Sequence, residues 1–337
     1  MMTKSKYCLA ALLVLLQATG CTKDTSTTDD EDDGNWIKRS TFEGVARSEA
    51  VAFVINDLAY VGTGYDGEER LQDFWSYNAA LNSWEQKATF PGVARSSAAG
   101  FSTGTNGYIA TGYDGTNKLK DCWQYNATSN EWVQKADFGG SARYDAVAAG
   151  ISGQGFISSG WDGNYRKDLW QYDPSADTWT QKVSLSGDKR QAAVCFVHDN
   201  KLYVGLGQDN GTTVNDLHEY DPATETWTEK RKLTSISDES YDDDYSDIVR
   251  YNAVAFVIGD KAYVTTGTNG SLTNKTWEYD FSTDTWSRKT AFERSSRTGA
   301  VAFTIQDRGF VTTGNSGSSY YDDLNEFNPA QTYEEND

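Results

Sequence analysis

The 337-residue chain carries 49 acidic against 30 basic side chains, a net charge of −19. Such a chain gains nothing from a phosphate backbone, so nucleic-acid binding is excluded as a reading. Hydrophobic content of 38%, with 11 Trp and 20 Tyr, is enough for a large folded core, and four prolines leave no room for Pro-rich linkers.

Residues 1–20 read as an export signal. Lys4 and Lys6 form a basic start, and Cys8 to Leu16 an apolar stretch too short to span a bilayer. Small residues then precede Cys21 in Ala18-Thr19-Gly20-Cys21, which resembles a bacterial lipobox, with Ala18 where Leu is usual. The resemblance implies cleavage before Cys21, lipidation on it, and an outer-membrane lipoprotein. Residues 21–34 are polar and acidic, a composition that predicts a disordered tether. Such acidic runs resemble surface-export signals of some Gram-negative lipoproteins; a solvated spacer is the plain alternative.

Residues 35–337 are expected to form one domain. A unit of about 48 residues recurs from Arg47, Arg95, Arg143, Arg190, Arg250 and Arg297, the mark of stacked supersecondary units. In the first unit Ala50–Ile55 is a nearly continuous apolar run, as for a strand buried on both faces. Asn56-Asp57 is a turn, Leu58–Gly64 a second strand, and Tyr65-Asp66-Gly67 opens a polar loop. Gln72–Asn78 and Asn82–Ala88 complete four strands. Tyr77, Tyr125, Tyr172, Tyr220 and Tyr279 are followed at one fixed spacing by Trp84, Trp132, Trp179, Trp227 and Trp286. Four strands and an aromatic signature per unit describe a propeller blade, with the aromatics packing blade on blade.

This grammar resembles kelch repeats, in which a Gly-Gly doublet follows the second strand. Here the doublet is Thr63-Gly64, Thr111-Gly112, Ser159-Gly160, Leu206-Gly207, Thr266-Gly267 and Thr313-Gly314, without its first Gly. The match covers residues 36 to about 333 and implies an all-β, six-bladed kelch-type propeller. Asn35 to Gly44 aligns with Ser83 to Gly92, so the N-terminal strand should close the last blade. Fold alone leaves the function open, because propellers host many activities.

Antiparallel connectivity puts the arginine series and the Tyr-Asp-Gly series on one face, around the central channel. Arg47, Arg95, Arg143, Arg190, Arg250 and Arg297 either pair with Asp66, Asp114, Asp162 and Asp209 to fix the loops, or leave forks free for a carboxylate or an acidic sugar. Tyr65, Tyr113 and Trp161, each beside its Asp, suit a sugar ring and bias a pocket toward units one to three; the plain alternative is a β-turn with a packed aromatic. The acidic insertion Leu233 to Val249 lacks EF-hand spacing and reads as a flexible loop. Cys122 and Cys195 read as small buried residues, His198 as a turn residue and His218 as a substitute for the third-strand Trp. No phosphate loop, nucleophile elbow, zinc motif or copper-oxidase constellation is present, so no metal and no cofactor are expected.

The leading expectation is a monomeric, non-catalytic propeller, held at the membrane through Cys21, that binds a glycan or a protein. A second is implied by resemblance to six-bladed sialic-acid epimerases and mutarotases, metal-independent enzymes of an acidic sugar. Glu49 and Asp145, each two residues after its Arg, are then the acid/base candidates. A structural scaffold in an outer-membrane complex is the third.

Overall fold

The computed structural model describes residues 33–231, 233, 245 and 247–335. Cys21, the expected signal and most of the acidic insertion lie outside them. The described residues form six antiparallel sheets of blade type. Blade one is built from Val51–Ile55, Leu58–Gly62, Phe74–Asn78 and Ser83–Gln86, paired in that order. Blades two to five repeat this order, beginning at Ala99–Ser102, Val147–Ile151, Val194–His198 and Val254–Ile258. Blade six runs Thr298–Ile305, Arg308–Ser316, Leu324–Thr332, and then the N-terminal strand Asp33–Lys38.

That last pairing is the expected closure, with Trp36 opposite Phe327. It matters because an open ring would leave one blade short and one sheet edge bare. The first strands of the six blades contact one another in a closed cycle, so they wall the central channel.

The aromatic signature is explained by the wedge between blades. Each third-strand Tyr lies in register with its fourth-strand Trp, as Tyr77 with Trp84 and Tyr125 with Trp132, ring centroids 4.9 and 5.0 Å apart. The Trp indole N–H then crosses to the preceding blade: Trp84 donates to Ser40 O, Trp132 to Ala88 O and Trp179 to Ala136 O. Trp36 does the same to Thr290 O, so the N-terminal strand behaves as an ordinary fourth strand. A single side chain thus supplies apolar area and satisfies its own buried polar tip. Near the axis, Phe53 fills the space a side chain would take at Gly107, where a Cβ would meet the ring at 2.0 Å. Phe101 stands in the same relation to Gly155 at 2.1 Å. Bulk on one blade therefore faces a missing side chain on the next.

Candidate functional site

The six repeat arginines are buried, with 0–1% exposure, so of the two expected arrangements they follow the one that fixes the loops and leave no free forks at the mouth. Their carboxylate partners, however, are not those expected. Arg47, Arg95, Arg143, Arg190 and Arg297 bond bidentately to Asp73, Asp121, Asp168, Asp216 and Asp323 at 2.5–3.0 Å. Asp66, Asp114, Asp162 and Asp209 make none of these bonds. Each guanidinium also donates from Nε to the carbonyl two residues back, as Arg95 to Val93 O, and from Nη1 to a carbonyl sixteen residues on, as Arg95 to Thr111 O. Four of the five N–H donors are thereby used. The planar face is covered too: Phe42, Phe90, Phe138 and Phe292 lie 4.9–5.0 Å from the guanidinium carbons of their arginines.

The carboxylate does double duty. Asp73, Asp121 and Asp168 also accept the indole N–H of Trp75, Trp123 and Trp170. In blade four His218 replaces that Trp and bonds Asp216 through Nε2 at 3.0 Å, with Ser186 on Nδ1, so it is a packing residue. Burial raises the Asp121 carboxyl, but the Arg95 bonds and charge outweigh it and leave it below the usual carboxylate range.

Blade five departs from the rule. Lys275 stands where the Asp belongs, and Arg250 instead donates to the carbonyls of Ile248, Thr266, Lys275 and Asp247. Asp247, at the end of the insertion, takes the Trp277 indole and reaches Arg288. Burial outweighs the attraction of Asp247 and lowers Arg250 to about 10. The insertion end is anchored by buried Leu233, Tyr245, Ile248 and Val249. It thus supplies a carboxylate for the third-strand Trp that the repeat lost.

The missing first Gly of each doublet has a backbone meaning. Thr63, Thr111, Ser159, Leu206, Thr266 and Thr313 all have φ of 57–63°. This left-handed conformation favours glycine and is costly for a β-branched residue. The carbonyl each presents there is the one that accepts the arginine Nη1, as Thr63 O from Arg47 and Thr266 O from Arg250.

With the arginines committed, the mouth is made by other groups. Tyr65 and Tyr113 donate their hydroxyls to Gly67 O and Gly115 O in their own loops, which fixes the rings. Asp66 accepts from the backbone N–H of Glu68 and Glu69, and Asp114 from Thr116 and Asn117, so both are turn-forming carboxylates. Asp162 accepts from Ser141 and Arg166. Burial raises its carboxyl, but the Arg166 and Ser141 bonds prevail and hold it at about 2. The aromatics form a band: Tyr320 packs edge-on to Tyr65 at 6.0 Å, Tyr113 lies 5.3 Å from Tyr144, and Trp161 packs on Tyr165 at 4.7 Å. Arg70, which the repeat pattern does not single out, has its guanidinium carbon 5.0 Å from the Tyr65 ring and 4.8 Å from the Tyr113 ring.

The channel itself opens on Glu49, Ser97, Asp145, Ala192, Asn252 and Gly299, one residue from each blade, all at φ of 51–62°. They are laced by backbone bonds from blade to blade: Glu49 N to Gly299 O, Ser97 N to Glu49 O, Asp145 N to Ser97 O, Ala192 N to Asp145 O and Asn252 N to Ala192 O. They line a cavity of about 120 Å³. The two acid/base candidates meet here around Ser97, whose hydroxyl donates to Glu49 Oε2 at 3.0 Å. Burial and the Glu49 charge push the Asp145 carboxyl up to about 7, against the lowering Ser97 bond. Tyr144 and Tyr320 feel Glu49 electrostatically, so the aromatic band borders the channel mouth.

A larger polar cavity of about 670 Å³ lies at the loops of blades four and five, lined by Asp188, Asp209, Asn210, Thr212, Asn215 and Asn269. On the opposite side His198 stacks on Phe281 and reaches Asp260 at 3.1 Å. Cys122 and Cys195 are both unpaired, Cys122 buried and Cys195 half-buried. No helix among the described residues is long and apolar enough to cross a membrane.

A kelch-motif family model matches residues 189–234 and 250–291, in blades four and five. No curated protein sequence matches. The solved structure titled "Structure of YjhT" superposes with a TM-score of 0.71 at 15% identity, covering 84% of this chain and 95% of that one. Sheet order, closure and superposition together define a six-bladed β-propeller, with kelch motifs in blades four and five.

Proposed function

We propose that the protein is a non-catalytic binding module that takes a glycan at the mouth of blades one to three, while lipid on Cys21 holds it at the membrane. The observation that carries this reading is the pair of aromatic contacts Tyr320–Tyr65 and Tyr113–Tyr144, bridged by Arg70, beside Glu49, Ser97 and Asp145. Fixed aromatic faces suit sugar C–H groups, and carboxylates with a hydroxyl suit sugar hydroxyls. The repeat arginines contribute indirectly, by holding the loops from which these side chains project. A glycan array with the mature chain tests the reading. Binding is expected, with Tyr113→Ala and Trp161→Ala each weakening it about tenfold, or about 1.4 kcal/mol. A silent array, together with recovery of a single protein partner in pull-down, overturns it in favour of a scaffold role.

A second reading is a metal-independent sugar epimerase or mutarotase, favoured by one observation. Glu49 and Asp145 share Ser97 in one cavity, where burial and the Glu49 charge raise the Asp145 carboxyl, so that an acid and a carboxylate stand side by side. Anomeric exchange of N-acetylneuraminate followed by NMR tests it. Acceleration that falls with Asp145→Asn and Glu49→Gln supports an enzyme; a rate equal to buffer removes it.

A further inference from the structure

Eight arginines occupy the loops of blades one to three or the repeat positions, and one of them differs from the rest. The six repeat arginines are bonded to carboxylates or carbonyls, as described above. Arg166, in the blade-three loop, is bonded to Asp162. Arg70 is half-buried, meets two tyrosine rings, and has no acceptor for any of its guanidinium N–H groups; its Nε is buried without a partner.

The clamp around Arg70 is built rather than incidental. Tyr65 comes from its own loop and Tyr113 from the next blade, and each ring is fixed by a hydroxyl bond to its own turn, at 2.7 and 2.8 Å. Backbone pairing of Tyr65 with Arg70 sets the height of the side chain in the loop. Gly115 completes the seat: a Cβ there would come within 2.7 Å of Arg70 Nη1, so the Asp114-Gly115 turn leaves the space the guanidinium occupies. Asp114 feels the Arg70 charge, but it accepts from the backbone N–H groups of Thr116 and Asn117 and forms no ion pair with Arg70. A guanidinium held between two rings has lost much of its rotamer freedom before any ligand arrives, which is what a bidentate acceptor needs.

We propose that Arg70 is the carboxylate-reading residue of the mouth, and that the glycan bound there is an acidic one, carrying a carboxylate on a sugar ring. This rests on the glycan-binding reading and adds the ligand class to it. A carboxylate is planar and presents two oxygens at the spacing of the guanidinium fork. The remaining hydroxyls of such a sugar then face Ser97, Glu49 and Asp145, which accept hydrogen bonds and would repel a second negative charge near the axis. A monocarboxylated sugar meets both requirements, whereas a dianionic phosphate meets only the first.

The test is an array of carboxylate-bearing oligosaccharides printed beside their carboxyl-reduced forms and probed with the mature chain. The wild type is expected to favour each carboxylated glycan over its reduced form by at least tenfold. Arg70→Gln should erase that preference to within about twofold, leaving the signal on reduced forms in place, and Arg70→Lys should restore only part of it, because an ammonium keeps the charge without the fork. Equal binding of both forms by the wild type, or a preference that survives Arg70→Gln, overturns the assignment while leaving glycan binding standing. A silent array overturns both.

Discussion

Arg95 and Arg70 lie on the same face of the propeller and have opposite fates. Arg95 is 0% exposed, bonded to Asp121, Thr111 O and Val93 O, and capped by Phe90. Arg70 is half-buried, lies between two tyrosine rings, and its guanidinium meets no hydrogen-bond acceptor. The difference teaches how a repeat protein divides labour. A residue that recurs in every blade answers to a need of every blade, here the joining of the first-strand entry, the second-strand exit and the third strand. A residue whose role is not shared by every blade is free to serve a ligand.

The largest break in this comparison comes from removing a repeat arginine. Arg95→Met leaves Asp121 and the Thr111 carbonyl without their partner, and a broken buried pair costs about 3–5 kcal/mol. Urea unfolding should show that loss. A change below about 1 kcal/mol would mean that the ring is not structural.

A second contrast is between two carboxylates. Asp121 is lowered by its arginine, so its contribution is present above the unfolded-state value and is lost as pH falls. Asp145 is raised to about 7 by burial and by Glu49, so the folded state holds a proton that the unfolded chain has released. Its effect has the other sign: stability falls as pH rises from about 4 to 7. Asp145→Asn should flatten that slope, leaving the variant about 1–3 kcal/mol more stable than wild type at pH 8 and little changed near pH 4. Parallel pH profiles for both proteins would contradict the shared-cavity account.

The smallest effect sharpens the scaffold side. Thr63 has φ of 58° and a buried hydroxyl without a partner. Thr63→Gly, which restores the kelch doublet, should stabilise by about 1 kcal/mol, because the strain of a β-branched residue in that region is removed. Leu206→Gly at the matching position should destabilise instead, by about 2 kcal/mol or more, because Leu206 is buried in the core between blades four and five. Thermal melts of the two variants should shift in opposite directions.

Much of this was legible in the chain because repetition amplifies a signal. The strands, the Tyr–Trp pairs and the closure by Trp36 each recur or complete a recurrence. The arginine partner was equally written there, since an Asp follows each Arg at a separation of 25 or 26 in five blades, two residues before a third-strand Trp in the first three. It was masked by Asp66 and Asp114, which lie closer in the loop but are held by their own turns. Lys275 marks the blade where the rule fails, and only packing reveals that Asp247 takes over the Trp277 bond. Glu49 and Asp145 were found by their offset from the arginines, but Ser97 at the same offset was not, because a serine carries no charge to notice. Arg70 left only a short periodic trace, with Lys118 and Arg166 at successive steps of 48 in blades two and three, and its clamp joins loops of two blades that only the closed ring brings side by side.

The central claim is that this face holds one arginine for a ligand and six for the fold. Melting temperature and affinity for a carboxylated glycan, measured together on Arg70→Gln and Arg95→Gln, test it most directly. The account predicts that Arg70→Gln loses at least tenfold in affinity with its melting temperature within about 2 °C of wild type, and that Arg95→Gln melts at least about 5 °C lower. The reverse pattern, a destabilised Arg70 variant that still binds and an Arg95 variant that is stable but does not, would contradict it.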